Sequence, residues 1–439
     1  MQTTERPVEL IGGEQLETRV REIGTELLEA ARERKTHFWA RERWEEGLLR
    51  KLMESPEFRV QALRFVDVLP ALRDDEELVR HLREYFGEEE LPLPGIARWG
   101  IEHARGGIAA QLMAGAVRTA MHGLATRFIG GANVKEALKS VEEIRADGMA
   151  FTLDLLGEAA VSEVETAEYH AKYLRLIDEF TERVARWKPN PLLDTVNGRP
   201  SPRLNLSVKV SSLYSQMTPV DTAGSADALK ERLRPILRAA QQKGAFITLD
   251  MEQYDTKSII LRLFREVLME SEFRNWPDVG IALQAYLRET ENDLRDLLAW
   301  VKERGVPVTV RLVRGAYWDY ETVIARQHGW KVPVWTEKAD TDRSYERCLH
   351  LLFDNHPHIE AAVATHNVRS LALAMALAEA RGLRPDQYEL QMLYGMADPL
   401  KDAVARMGRR LRVYVPFGEL IPGMAYLVRR LLENTASQS

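Results

Sequence analysis

Two textures divide the chain. From Gly13 to Ala146 apolar positions recur at helical spacing, and the pattern predicts helices over Gly13–Ala31, Thr36–Glu54, Pro56–Val68 and Glu76–Phe86. In the second of these, Phe38, Trp39, Trp44, Leu48, Leu49 and Leu52 make one packed face. Pro92–Pro94 interrupts the run. Gly106–Phe128 resumes it, with small residues (Ala109, Ala110, Ala114, Ala116) that suit close helix packing, and Gly130–Gly131 ends it.

From Ala150 short β-rich runs alternate with longer amphipathic stretches. Eight runs stand out: Ala150–Leu156, Leu204–Val210, Phe246–Glu252, Val279–Leu287, Val308–Val313, Ala361–Asn367, Tyr388–Leu393 and Arg412–Gly418. Helical patterns lie between them, as in Leu229–Lys243, Thr256–Ser271, Asn292–Arg304 and Ser370–Arg381. Gly244, Gly305 and Gly382 stand where C-caps are wanted. Strands separated by helices imply βαβ units and a parallel sheet. Eight units predict a distorted (β/α)8 TIM-like barrel over residues 147–439, preceded by an all-helical N-terminal domain over residues 1–146. The competing doubly wound sheet would carry a Gly-rich phosphate turn after its first strand, and Gly157-Glu158-Ala159-Ala160 is not one. The stretch Lys188–Pro202, rich in Pro and Asn, reads as a surface loop.

Composition narrows the class. The 439 residues are 45% hydrophobic and 29% charged, which is globular, and the formal net charge of −6 argues against nucleic acid as a partner. The one cysteine, Cys348, excludes intrachain disulfides and Cys-rich metal centres, and suits a reducing, cytoplasmic compartment. Met1–Leu10 does not read as a secretory signal, and no apolar run approaches the ~18 residues of a membrane span.

Barrels keep their chemistry at the C-terminal ends of the strands. The polar residues there are Asp154 and Glu158, Lys209, Asp250 and Glu252, Gln284, Arg311 and Arg314, His366 and Asn367, Gln391, and Tyr414. Each alone reads as a cap or a structural ion pair, but together they converge on one rim. His366 is the one histidine placed there, so no metal is expected. No G-x-S-x-G elbow exists for a serine hydrolase, and Cys348 reads as a small buried residue. Arginines beside the small-residue turn Gly315-Ala316 suit a pyrophosphate or a flavin ring. The alternative is a set of salt bridges with Asp154, Asp250 and Glu252. Near the end of the chain Leu427, Val428, Leu431 and Leu432 share one helix face, with Tyr426, Arg429, Arg430 and Glu433 opposite. That polar face is either solvated or a pair of guanidiniums set to hold a carboxylate.

Phe151–Glu158, Ser207–Leu213, Asp250–Glu252, Gln284-Ala285-Tyr286, Arg311–Asp319, Ala364–Asn367, Leu390–Met396 and Ala425–Asn434 together resemble the flavin-dependent proline dehydrogenases. The similarity is greatest to the proline dehydrogenase portion of the bifunctional proline utilization A proteins. The helical part, notably Phe58–Leu69, fits as well.

The resemblance implies FAD as cofactor and L-proline as substrate, oxidised to Δ1-pyrroline-5-carboxylate by hydride transfer to flavin N5, with a membrane quinone as electron acceptor. It implies that Lys209, Arg429 and Arg430 bind the proline carboxylate and that Glu158 steadies one of the arginines. Leu312, Tyr414 and Tyr426 would wall in the ring. Asp250 would lie beside the site as an important acid, and Arg311 near flavin N5. Met251, Gln284, Arg314, Gly315, Ala316, Trp318, Thr365 and His366 would contact FAD, and Glu433 its tail. Arg314 departs from the family, many members of which carry Lys there. An aldehyde dehydrogenase domain or partner, present in bifunctional members, is not expected within these residues, so the chain is either a piece of such a protein or monofunctional. Location is expected to be cytoplasmic, with peripheral contact at the inner membrane. The residues alone also leave open another barrel enzyme on an anionic substrate, either a Schiff-base aldolase using Lys209 or a folate-linked flavin reductase, and a non-catalytic scaffold.

Overall fold

The computed structural model describes residues 13–33, 127–157 and 159–418, with parts of 55–87 and of 111–119. The helices expected over Thr36–Glu54 and at Leu427–Glu433 lie outside the described residues. Two compact units divide the chain: residues 1–32, 138–393 and 397–415 form one, and residues 33–137, 394–396 and 416–439 the other.

The first unit is the expected barrel. Its strands are β1 (Ala150–Leu155), β4 (Leu204–Val208), β5 (Ala245–Leu249), β6 (Val279–Gln284), β7 (Val308–Val313), β8 (Ile359–Ala364), β9 (Glu389–Leu393) and β10 (Leu411–Phe417). They close in the order β1-β10-β9-β8-β7-β6-β5-β4, and the registers that fix the ring's neighbours are parallel. Helices follow the strands, so both faces of each strand are covered. The apolar runs are therefore nearly continuous rather than alternating. Gly244, Gly305 and Gly382 take positive φ of 72°, 78° and 63°, as their C-cap positions require.

Helix α1 (Gly13–Glu33) belongs to the same unit as the barrel, although the sequence pattern groups it with the residues up to 146. Its apolar face, Val20, Ile23 and Leu27, is buried. Arg19 donates to Glu379 at 2.8 Å and Arg369 to Glu17 at 2.8 Å. Both partners belong to the barrel helix Val368–Ala380, in which Ser370 to Ala378 are buried without a break. A helix apolar on all sides needs cover on all sides, and α1 supplies the outer part.

The second unit contains the helix Asp75–Phe86, capped by Asp74, which accepts from the Glu77 N–H at 2.8 Å. Phe58 and Phe65 each pack against Phe86 with ring centroids 5.5 Å apart, the first tilted and the second edge-on.

The stretch Lys188–Pro202 is not a plain loop. Asn190 caps a one-turn helix, Pro191–Asp194, and Thr195–Val196 then pairs with Arg199–Pro200 as a two-stranded hairpin, β2–β3. Asn197 and Gly198 take φ of 51° and 77° at its tip, the conformation an Asn-Gly turn favours. The hairpin lies at the N-terminal end of the barrel. There Arg199 binds Asp278 at 2.6 Å and Glu360 at 3.1 Å.

Inside the lumen near that end, Glu389 accepts from Arg412 at 2.7 Å and from Arg410 at 3.0 Å. Burial alone would raise its carboxyl, but the two guanidiniums outweigh burial and hold it down at about 2, below the ordinary 4.5. A depressed carboxyl stabilises the fold above its unfolded value and loses that contribution as pH falls through its folded value. The contribution is about 3 kcal/mol, complete above pH 4.5 and lost toward pH 2. Glu389→Gln is expected to flatten the pH dependence of the unfolding free energy in that window, read by urea titration at pH 3 and pH 6. At neutral pH it leaves two buried guanidiniums short of a counter-charge and costs stability outright.

Candidate active site

Period-2 alternation decides which side chains reach the lumen. Arg311 on β7 points inward. Its register partners on both neighbouring strands are alanines, Ala282 and Ala362, which leave room for a long side chain to lie across the barrel. Its Nε donates to Gln391 Oε1 at 2.8 Å, and its Nη1 to Ser207 Oγ at 2.8 Å and Asp250 Oδ1 at 2.7 Å. The buried Nη2 has no partner among the described residues. The guanidinium also sits 5.1 Å over the Tyr414 ring.

Asp250 joins this arginine to the rest of the rim. Its Oδ2 accepts from the Tyr414 hydroxyl at 2.8 Å and from Lys209 Nζ at 3.4 Å. Lys209 also pairs closely with Asp154, which is 1% exposed. Burial works against the ammonium, but the carboxylates of Asp154 and Asp250 raise it well above its ordinary range, so Lys209 stays protonated. Burial, with Asp154 and Asp250, likewise raises Tyr414, which remains a phenol. Asp154, Lys209, Asp250, Arg311, Gln391 and Tyr414 are thus one connected network.

Glu252 follows beside it, accepting from the Ser211 N–H at 3.1 Å and closely from its hydroxyl, and burial raises its carboxyl. Gln284 donates to the Glu252 carbonyl at 3.2 Å, while its buried Oε1 has no partner among the described residues. Met251 is buried as well.

The segment after β7 turns sharply. Gly315 has φ 132°, and a Cβ there would meet the Tyr286 ring at 2.5 Å. Arg314 is held by Asp342, Thr365 and Ser370, at 2.9, 2.8 and 2.8 Å, and lies 4.5 Å over Tyr345. Ala316 is exposed. Trp318 is partly exposed and donates to the Trp335 carbonyl at 2.8 Å. His366 Nε2 accepts from the Leu393 N–H at 3.0 Å, and Asn367 proves to be a helix cap.

One expected residue is misplaced. Leu312 alternates with inward Arg311 and is fully buried on the opposite face of β7, where it cannot wall a ligand in the lumen. Leu393, two residues beyond inward Gln391 on β9, is half-buried on the inward face and in register with Tyr414. Sequence reasoning passed over Ser207 as an Arg311 partner, whereas the Lys209–Asp154 and Arg311–Asp250 pairs are among the salt bridges it held as the alternative. Glu158, Tyr426, Arg429, Arg430 and Glu433 lie outside the described residues. Among the described residues no cluster of three His, Cys, Asp or Glu could hold a metal ion. Cys348 is buried, and burial pushes its thiol up to about 12, which makes it a poor nucleophile.

A closed parallel barrel with cations, carboxylates and a phenol gathered at the C-terminal mouth is the architecture of a barrel enzyme. Residues 137–439 match the family model described as proline dehydrogenase, and residues 17–128 that of the proline utilization A N-terminal domain. The chain belongs to the proline dehydrogenase family of oxidoreductases. It is 31% identical over 387 residues to the bifunctional protein PutA of Escherichia coli (strain K12), covering 86% of this chain and 27% of that protein. It is also 31% identical over 319 residues to the proline dehydrogenase of Deinococcus radiodurans, covering 72% of this chain and 88% of that one. The solved structure of proline utilization A from Bdellovibrio bacteriovorus inactivated by N-propargylglycine superposes with a TM-score of 0.87 at 41% identity, over 96% of this chain and 41% of that chain. This chain therefore spans about a quarter of the length of the PutA relatives it matches.

Lys209→Met is expected to destabilise the fold by about 3 kcal/mol, because burial already raises the Asp154 carboxyl and without its cation the group is left an unpaired buried charge or must take up a proton. Lys209→Met/Asp154→Leu, which removes both charges, recovers most of that loss. Thermal unfolding of both variants at neutral pH checks the pair.

Proposed function

We propose that the chain oxidises L-proline to Δ1-pyrroline-5-carboxylate with FAD as its cofactor and a membrane quinone as the eventual electron acceptor. The observation that carries this reading is Arg311: a buried guanidinium tied down at two nitrogens, with the third left unpartnered among the described residues. The donor set fits a flavin. Arg311 Nη2 offers a cationic donor, Gln284 Oε1 offers a free acceptor for an imide N–H, and the Gly315 turn admits no side chain. FAD, when bound, supplies the acceptor for the hydride leaving the ring carbon next to nitrogen and passes the electrons to quinone.

The chain's own residues then divide the work. Lys209, with Arg429 and Arg430, binds the carboxylate and fixes the ring's orientation. Glu158 steadies one of those arginines. Tyr414 and Tyr426, with Leu393 in place of Leu312, wall in the apolar ring. Asp250 positions Arg311, Lys209 and Tyr414 at once. Met251, Arg314, Gly315, Ala316, Trp318, Thr365 and His366 join Gln284 around the cofactor, and Glu433 reaches its tail. Proline must shed a proton from its secondary amine before a hydride can leave, and the surrounding cations favour that loss. Residues 147–439 are the flavin-binding part. The product passes to an aldehyde dehydrogenase domain or partner, and the protein works in the cytoplasm, peripheral to the inner membrane. Among the described residues no helix is long and apolar enough to cross a membrane.

A Schiff-base role for Lys209 is disfavoured, because a nucleophilic lysine must be neutral and this one is held charged by two carboxylates. The reading predicts a yellow protein that bleaches on anaerobic addition of L-proline, and inactivation by N-propargylglycine, as in the Bdellovibrio relative. A colourless protein that borohydride traps on substrate at Lys209 would replace it with the aldolase reading. Arg430→Ala is expected to raise KM for proline about tenfold or more while changing kcat less, in steady-state kinetics.

A further inference from the structure

We propose that Glu389 and Gln391 are positioning residues for Arg311, and that they determine which of its nitrogens stays free. The inference rests on the reading of the mouth as a flavin site and extends it to the floor of the barrel.

Glu389 and Gln391 stand two apart on β9, so both face the lumen. A glutamine amide can be turned either way, with its oxygen or its NH2 toward a given neighbour. Here one orientation is enforced. The Gln391 amide nitrogen donates to Glu389 Oε1 at 2.7 Å, so its oxygen must face the other way, where it accepts from Arg311 Nε at 2.8 Å. Turned round, the amide would set N–H against N–H at Arg311 and oxygen against oxygen at Glu389. Glu389 can enforce this because it accepts only, and Arg412 and Arg410 keep it ionised.

The consequence reaches the mouth. The guanidinium is planar, and three of its contacts are now fixed: Gln391 on Nε, and Ser207 and Asp250 on Nη1. The two N–H groups of Nη2 are left over among the described residues. Without the Gln391 acceptor the plane can swing about its Asp250 contact, and the free donor loses its aim. A carboxylate at the floor thus orients a cationic donor near the opposite end through a single amide.

The test uses the whole chain loaded with FAD. Gln391→Met removes the acceptor for Arg311 and the donor to Glu389, while Glu389 keeps its ion pairs with Arg410 and Arg412. It is expected to slow anaerobic flavin reduction by proline about tenfold or more. It should also move the midpoint potential of the bound flavin to more negative values, with the affinity for an unreactive ring carboxylate unchanged. Glu389→Gln should show the same split. The exchanged pair Glu389→Gln/Gln391→Glu, which restores an acceptor facing Arg311, should recover part of the rate. Arg199→Gln breaks the ion pairs with Asp278 and Glu360 at the same end of the barrel but leaves Glu389 and the amide in place, so it should lower the melting temperature alone. A wild-type rate and midpoint in Gln391→Met would overturn the proposal, as would an equal loss of rate in Arg199→Gln. The midpoint is titrated with dithionite and no proline. It therefore still decides this proposal where proline fails to bleach the wild type, a result that overturns the functional reading instead.

Discussion

A guanidinium lying across the inside of a closed barrel constrains everything around it. Arg311 is 3% exposed, so little water is left to solvate its charge. Burying such an ion costs several kcal/mol unless partners replace the lost solvent. The fold answers with an acid on β5's exit, a hydroxyl on β4 and an amide on β9. Asp250 cannot serve Arg311 alone, because it also takes Lys209 and Tyr414. Asp154 then balances Lys209. Each group is required by the one before it, and the rim behaves as a unit rather than as a set of separable pairs.

This arrangement suits chemistry in which charge appears on a bound molecule. Groups already fixed by their neighbours need not reorganise when that charge develops. The same tethering keeps Lys209 an ammonium and Tyr414 a phenol. The mouth therefore offers fixed hydrogen-bond donors rather than a nucleophile.

The barrel was legible in the sequence because its strands are covered on both faces and so read as apolar runs. Their ends were read a few residues too long where polar rim residues continue the pattern, as at Lys209 and Asp250. Most of the rim was legible for the same reason. The misreading of Leu312 was avoidable: once Arg311 faces inward, its neighbour must face out. The Asn197-Gly198 turn was also a visible hairpin signal, hidden in a stretch that looked like loop. The Glu389 cluster was not legible. It depends on Arg412 standing opposite Gln391 across two strands, a register that no local pattern encodes.

The docking of the first helix has a practical corollary. Periodicity marks residues 13–33 as amphipathic but does not say which surface they cover, and that surface is the helix Val368–Ala380. Anyone trimming the protein at the start of the first strand would strip this cover, which includes Gly24 against Val368 and Ala372, and leave an apolar stripe facing solvent. Such a fragment would precipitate for want of a detergent-like patch it never lacked in the parent, whereas one that keeps the leading helix, even joined by a shortened tether, would stay in solution.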